Sequence, residues 1–223
     1  MDFLASQKLE KFFVQFQTLH YKKHENILRS DETPRGVFYL KKGYVRDYTI
    51  SKDGEELTLI IFKPGDIFPL RWALNNQIPN HYFEASTNVE IFRAPKDKFT
   101  EFIKSNPDVL YVLTQKISVR LGGLLERMEY MVFGDAYVRV CSILVILWQR
   151  FGEADSIKID GKKKDVKFIK VPLTHKDVAN LLGVTRETVS IEIEKLKKKG
   201  IVDHKSHIFF IKNLRKLEKE SML

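Results

Sequence analysis

The stretch that decides the fold is LTHKDVANLLGVTRETVSIEIEKLKKKGIV, which runs from Leu173 to Val202. Thr174 can cap a first short helix, and Asp177 three residues later completes an approximate capping box, with aspartate where glutamate or glutamine is usual. Gly183 stands where the chain must turn through a conformation that costs other residues free energy. Thr185 can then cap a second helix over residues 185–198. Two amphipathic helices joined by a tight turn are typical of a helix-turn-helix, whose second helix enters the DNA major groove.

The first turn of the second helix distinguishes this pattern from a generic pair of helices. Two amphipathic helices around a glycine also occur in many helical domains that bind no DNA. Here Arg186, Glu187 and Thr188 stand at the point where a recognition helix meets base edges, and their side chains offer both donors and acceptors. The sequence therefore favours DNA binding.

The distribution of charge agrees with a polyanionic partner. The chain has 223 residues and a formal net charge of +9. Residues 134–223 carry 19 Lys and Arg against 12 Asp and Glu, which places +7 of that charge in the half with the helix-turn-helix. A uniformly basic protein would not show this uneven division.

Cysteine usage and hydropathy exclude several classes of protein. The single cysteine, Cys141, rules out an internal disulfide and an iron–sulfur cluster held only by cysteines of one chain. It lies in an apolar run, so we expect a buried thiol. No secretory signal pattern opens the sequence, and the longest apolar stretch, Val140 to Trp148, is far shorter than the roughly 20 residues that cross a bilayer. We expect a cytoplasmic protein without a membrane partner.

The N-terminal half has the pattern of short strands. After a predicted helix over Leu4 to Phe16, segments rich in β-branched and aromatic residues alternate with turn signals such as Lys42-Gly43 and Pro64-Gly65. The predicted strands are 37–40, 44–50, 57–62 and 89–92, and residues 75–80 are predicted as a loop. Short strands at this spacing indicate a jelly-roll or a small barrel.

A long helix is predicted to follow a short one over Lys96 to Lys104. It opens at Asn106-Pro107 and reaches about Phe133. Its apolar residues alternate in steps of four and three, which is a heptad seam. The seam consists of Leu110, Thr114, Ile117, Leu121, Leu124, Met128 and Met131. A single amphipathic helix lying on the barrel could show the same stripe, but further apolar residues broaden it, and we favour a parallel dimer. Gly122-Gly123 within the seam has two interpretations. The glycines either allow a ligand or the partner helix to approach closely, or they are simply tolerated within a long, well-packed helix.

The remaining segments complete a C-terminal domain. Gly134-Asp135 breaks the long helix and marks a hinge, and residues 136–151 are predicted as the next helix. Residues 156–170 alternate around Asp160-Gly161, as in a hairpin or a long basic loop. After the helix-turn-helix, residues 201–202 and 208–211 are predicted to form a small β-wing with Lys205 and Ser206 at its tip, within reach of DNA phosphates, although a solvated turn has the same pattern.

We therefore expect an α+β fold with an N-terminal β jelly-roll barrel, a long central dimerisation helix and a C-terminal winged helix-turn-helix. The corresponding boundaries are 1–105, 106–134 and 135–223. In this order, the chain resembles the CRP/FNR superfamily of bacterial transcription regulators. The most specific matching segments are LGVTRETVS (182–190), KPGDIF (63–68) and GDAYVRV (134–140).

The resemblance implies which residues contact DNA. Arg186 and Glu187 match the arginine and glutamate with which the family reads bases, and Ser190 matches a serine that some members use. An arginine suits the acceptors of guanine, and a carboxylate suits the amino donor of cytosine. Many members place a second arginine where this chain has Ile191, which can only pack against apolar groups such as a thymine methyl. The expected phosphate contacts are Thr174, Thr185, Thr188, Lys197, Lys205 and Ser206.

The effector region departs from the cyclic-AMP pattern of the family. The Gly65-Asp66 turn is followed by Pro69-Leu70 rather than Gly-Glu. The later stretch, in which the phosphate-binding Arg-Ser pair is expected, reads Ile78-Pro79-Asn80-His81-Tyr82 and contains no arginine. We therefore expect an effector other than cyclic AMP, or none. The candidate pocket comprises Phe68, Leu70, Arg71, Trp72, Tyr82, Leu124 and Leu125. No metal or haem is expected, since the available histidines show no ligand spacing, and no cofactor is assigned.

Two other functions compete with that of a DNA-binding regulator. A cupin-type enzyme would need closely spaced His-x-His and Glu ligands, which His20, His24 and His81 do not supply, so no enzyme is expected. An adaptor whose helix-turn-helix contacts protein instead of DNA remains the alternative. The expected partners are a second copy of the chain, palindromic double-stranded DNA, RNA polymerase if the protein activates transcription, and an unidentified small-molecule effector.

Overall fold

The N-terminal residues form two antiparallel four-stranded sheets. The computed structural model describes residues 3–159 and 162–223. The strands found there before the long helix are β1 (Gln17–Tyr21), β2 (Asn26–Leu28), β3 (Val37–Lys42), β4 (Val45–Ile50), β5 (Glu56–Phe62), β6 (Ile67–Phe68), β7 (Tyr82–Ala85) and β8 (Val89–Ala94). Their orders are β1-β8-β3-β6 and β2-β7-β4-β5. The predicted jelly-roll is confirmed.

Aromatic side chains from both sheets fill the space between them. Phe68 stacks on Phe83 with ring centroids 5.4 Å apart, and Phe38 and Phe62 pack on the same rings. Burial of such side chains is the main term that stabilises a sandwich of two sheets. The turn between β3 and β4 requires glycine, because Gly43 has φ +87° and an added Cβ would collide with the Asn88 carbonyl oxygen.

Helices cover the outer face of the first sheet. They are α1 (Phe3–Val14), α2 (Leu70–Asn75), α3 (Lys96–Ser105) and the start of α4 (Pro107–Phe133). Leu9, Phe13, Phe99 and Val109 form a buried cluster there. The predicted loop begins one residue later than expected, since α2 includes Asn75 and ends at a left-handed cap, Asn76 (φ +58°).

The C-terminal residues form a second unit, which begins at Arg120, while the first unit ends at Val119. Its elements are the rest of α4, α5 (Ala136–Phe151), β9 (Gly152–Ile159), β10 (Lys162–Ile169), α6 (His175–Leu182), α7 (Arg186–Lys198), β11 (Val202–Lys205), β12 (Ile208–Ile211) and α8 (Leu214–Lys219). The four strands form one sheet in the order β11-β12-β10-β9.

Helix α5 is the core of this unit. Asp135 caps it by accepting a hydrogen bond from the Val138 N–H at 2.9 Å, and most of its residues from Val140 to Leu147 are buried. The segment after it is a hairpin rather than a loop, with Ile159 paired to Lys162, whereas its predicted turn at Asp160-Gly161 lies outside the described residues. Among the described residues, no helix has the length and apolar character needed to cross a membrane.

Candidate nucleic-acid interface

The first helix of the helix-turn-helix begins with a complete capping box. The Thr174 hydroxyl accepts from the Asp177 N–H at 3.1 Å, and the Thr174 N–H donates to the Asp177 carboxylate at 2.7 Å. Two of the N–H groups that a helix start leaves unpaired are thereby satisfied. The predicted box is confirmed, and it holds the start of α6 in one conformation.

The turn and the second helix also follow the predicted pattern. Gly183 ends α6 in the left-handed region with φ +61°, and the Thr185 hydroxyl caps α7 by accepting from the Thr188 N–H at 3.2 Å. Val189 and Ile193 are fully buried, as is Leu196. Burial of this side fixes which residues of α7 face outward.

The outward face of α7 presents the predicted base-reading residues. Arg186 and Glu187 are exposed in its first turn, and Ile191 is 57% exposed one turn later. In the part of the chain that the structure describes, neither the Arg186 guanidinium nor the Glu187 carboxylate has a hydrogen-bond or ion-pair partner. The guanidinium and the carboxylate are therefore available to a ligand at the N-terminal end of the helix.

Ser190 differs from its neighbours on this face because its hydroxyl is engaged within the chain. It donates to the carbonyl oxygen of Arg186 at 2.9 Å, and it lies 2.9 Å from the Nδ1 atom of His175, the first residue of α6. The sequence reasoning did not identify this contact.

A second histidine from the wing packs against the first. The ring centroids of His175 and His204 are 4.8 Å apart, His204 stacks on Phe209 at 4.1 Å, and its Nε2 lies 2.9 Å from the Leu173 carbonyl oxygen. Burial lowers the pKa of both imidazoles below the usual value; the neighbouring histidine and the cations of α7 lower that of His175 further. Both rings are therefore mostly neutral at pH 7.

The predicted phosphate-contacting residues lie on three elements. Thr174 and Thr185 cap α6 and α7, and the hydroxyl of Thr188 lies 2.9 Å from that of Thr185. Lys197 is paired with Glu194 at 2.9 Å. At the wing tip, Lys205 and Ser206 are exposed, and Ser206 has φ +49°. The structure thus places these residues at the two helix starts, along α7 and on the β11–β12 turn.

Much of the lysine run at the end of α7 is paired internally. Lys195 contacts Glu192 at 2.8 Å, and Lys199 contacts both Glu220 at 2.7 Å and the hydroxyl of Tyr137 at 2.9 Å. The hydrogen bond from Lys199 holds the pKa of Glu220 below its usual value. Lys195 and Lys199 are thus engaged within the second unit, and of this run only Lys197 was expected to contact phosphate.

Helix α4 is attached to the helix-turn-helix by a buried arginine. Arg127 is 8% exposed and donates to the carbonyl oxygen of Leu181, in the last turn of α6. This carbonyl is one of those that a helix end leaves without an internal partner. Burial lowers the pKa of Arg127. The sequence reasoning missed this residue because an arginine within an apolar seam reads as solvent-exposed.

The predicted dimer seam is exposed in the single chain. Val109, Val112 and Leu113 of α4 are buried within the first unit, and Tyr130 within the second. In contrast, the seam residues remain accessible: Leu110 at 41%, Ile117 at 42%, Leu121 at 56%, Leu124 at 36% and Met128 at 64%, with Met131 partly buried. Exposed apolar residues at this spacing along a 27-residue helix are the kind of surface that a second chain covers.

The candidate effector residues of the first unit lie in different surroundings. Phe68 is 1% exposed in the aromatic core between the sheets, whereas Leu70 and Trp72 pack on the cluster beneath the helices. Arg71 is exposed and donates to Gln77 at 3.1 Å, and Tyr82 stacks on Tyr48 at 5.2 Å. Leu124 and Leu125 belong to the second unit.

A carboxylate occupies the barrel interior near the candidate effector residues. Asp47 is 7% exposed, and its side chain lies on the same strand face as buried Val45. Its Oδ1 atom is 3.3 Å from the Nδ1 of His81. This arrangement brings negative charge to the end of the barrel where His81-Tyr82 lies.

Comparisons with known proteins match both halves of the chain. Residues 18–106 match the cyclic nucleotide-binding domain, and residues 138–220 match the Crp-like helix-turn-helix domain. The chain is 26% identical to the global nitrogen regulator of Nostoc sp., over 84% of this chain and 82% of that protein. It is 24% identical to the cAMP-activated global transcriptional regulator CRP of Pasteurella multocida, over 87% and 89%. The solved structure of FixK2 from Bradyrhizobium japonicum has the same fold, with a TM-score of 0.75, 21% identity, and coverage of 93% and 98%.

Proposed function

We propose that this chain acts as a homodimer that reads a palindromic operator. The chain belongs to the CRP/FNR superfamily of DNA-binding transcription regulators and is not an enzyme. In this proposal residues 1–105 form an effector-type barrel, 106–134 join two copies, and 135–223 bind DNA. The observation that carries the proposal is the exposed Arg186–Glu187 pair at the capped start of α7, whose charged groups have no hydrogen-bond or ion-pair partner within residues 3–159 and 162–223.

The base contacts follow from the chemistry of these side chains. The Arg186 guanidinium has two donors for the O6 and N7 acceptors of guanine, and the Glu187 carboxylate can accept from the amino group of cytosine. Ile191, one turn further along, can pack against a thymine methyl. Ser190 lies on the same stretch of α7. We therefore expect one recurrent G·C pair in each half-site. At a neighbouring position, the preferred base pair should differ from the one found in operators that are read by a second arginine.

Contacts to the phosphates set the position of the protein on the duplex. Thr174 and Thr185 at the helix starts, Thr188, Lys197, and the wing-tip pair Lys205 and Ser206 are the proposed contacts. Contacts of this kind carry little sequence information, but they fix the register in which the base-reading turn meets the groove. They also make the affinity fall steeply with salt.

The seam of α4 is the proposed dimer interface. Two copies that pack Leu110, Ile117, Leu121, Leu124, Met128 and Met131 against each other would place their recognition helices about one turn of DNA apart. A two-fold protein of this kind requires a two-fold operator.

The barrel is proposed to bind an effector other than cyclic AMP, or none. A cyclic phosphate needs a cation at its binding position. Here Arg71 points to Gln77, and the buried Asp47 carboxylate beside His81 would repel an anion. Isothermal titration with cyclic AMP and cyclic GMP should show no micromolar binding; such binding would contradict this part of the proposal.

Gel shift with genomic fragments, followed by footprinting, tests the proposed function and yields the operator. Arg186→Ala should remove specific binding while leaving non-specific binding nearly unchanged. Lys205→Ala, the matched control at a phosphate-contacting position, should weaken binding to all sequences and reduce the salt slope by about one. A wild-type chain that binds no fragment at low salt, but retains protein partners, would support the adaptor function instead.

A further inference from the structure

The hydroxyl of Ser190 carries two contacts but has a single proton. It donates that proton to the carbonyl oxygen of Arg186, four residues earlier on α7. The 2.9 Å contact with His175 Nδ1 can then be a hydrogen bond only if the imidazole donates. His175 must therefore carry a proton on Nδ1.

The other ring nitrogen of His175 agrees with this tautomer. Its Nε2 atom is buried and, among the described residues, has no hydrogen-bond partner. A proton on Nε2 would be a buried donor without an acceptor, which costs more free energy than an unpaired lone pair in the same place. The contact at Nδ1 and the unpaired Nε2 thus lead to the same tautomer.

The position of His175 gives this hydrogen bond a consequence for DNA reading. His175 follows Thr174, the capping residue and proposed phosphate contact, while Ser190 anchors the carbonyl of base-reading Arg186. His204 comes from the strand that leads to the wing tip and packs on the same ring. Three DNA-facing elements therefore meet at one imidazole.

We propose that His175 is a positioning residue for the base-reading turn, and that Ser190 acts as its internal acceptor rather than as a base reader. This inference rests on the proposed function. The hydrogen bond fixes the first turn of α7 relative to the phosphate-anchored start of α6, so that Arg186 and Glu187 are preorganised before DNA arrives.

A mutant cycle on the operator tests this role. His175→Phe and Ser190→Ala should each weaken operator binding by about 3- to 10-fold, as expected for loss of one neutral hydrogen bond. The double variant should lose no more than either single variant, because all three lack the same bond. His175→Asn, whose amide N–H can replace the Nδ1 donor, should recover most of the affinity, and none of these variants should change which bases are preferred.

Two results would overturn the inference. One is a Ser190→Ala variant that changes the preferred base at one position while His175→Phe does not, since serine would then be reading DNA. The other comes from the ¹⁵N NMR spectrum of the free protein at neutral pH, where His175 should show a protonated Nδ1 and an unprotonated Nε2; the opposite tautomer contradicts the geometry. This NMR measurement needs no DNA and no variant that could fail to fold. A wild-type chain that binds no DNA of any sequence would instead refute the proposed function.

Discussion

Replacing Leu121 by alanine should weaken the dimer without unfolding the chain. Leu121 is 56% exposed in the single chain, so much of its side chain stays in water until a second copy covers it. Complete burial of a leucine contributes about 1.5 to 3 kcal/mol, and the exposed fraction therefore leaves about 0.8 to 1.7 kcal/mol for association. Since each dimer contains two such side chains, Leu121→Ala should raise the dimer dissociation constant about 20- to 300-fold.

Sedimentation with a fluorescent label, over nanomolar to micromolar protein, measures this constant directly. Val119→Ala is the matched control, because Val119 is 77% exposed on the same helix but lies about 160° around it from Leu121. It should leave the dissociation constant unchanged. Equal effects of the two substitutions, or a wild-type chain that remains monomeric at micromolar concentration, would refute the assignment of the seam.

Three further predictions concern stability and reactivity. Thr174→Ala should lower the free energy of unfolding in urea by about 1 kcal/mol because the cap of α6 is lost. The control Thr100→Ala removes a mid-helix hydroxyl that donates to the carbonyl oxygen of Lys96, and it should lower the free energy of unfolding by less. Because the folded chain keeps His175 and His204 neutral, it binds fewer protons than the unfolded chain below about pH 6.5. The contribution of these residues to the free energy of unfolding should therefore be fully present above that pH and fall as the pH drops towards the lowered pKa values of the folded chain. Urea melts that show no such fall would contradict this prediction. Burial raises the pKa of the Cys141 thiol to about 12, so a thiol reagent should label it only on unfolding, and rapid labelling of the native chain would show an accessible thiol.

The helix-turn-helix could be predicted from the sequence because its signals are local. The Thr174–Asp177 box, the glycine at 183 and the apolar spacing of α7 lie within a few residues of one another, and all three are present in the structure. The capped helix α5 and the long α4 were predictable for the same reason, since each has a clear start and a helical period.

Elements that depend on distant partners could not be predicted in this way. Strand β1 has a mostly exposed, weakly alternating sequence, and its conformation is set by pairing with β8, where Gln17 lies opposite Arg93. Strands β2, β6 and β7 are too short to show a period. The short helix α8 follows an asparagine cap, Asn213, that was not recognised.

The same limit applies to the candidate site. Arg186 and Glu187 could be assigned from their place in the motif, but the contact between His175 and Ser190 joins two helices, and His204 reaches them from the wing. The sequence does place three histidines, at 175, 204 and 207, within the segments predicted to face DNA. That concentration was the available signal.

The claim that two copies of the chain read a two-fold operator is tested most directly by selecting bound duplexes from random-sequence DNA. The number of chains per duplex is then determined for the enriched sequences. We expect enriched palindromes whose half-sites are centred about 10 base pairs apart, each with a recurrent G·C pair and each occupied by one of two copies. A pool that remains unenriched at low ionic strength, or enriched sites held by a single copy, would contradict a two-fold reader of bases.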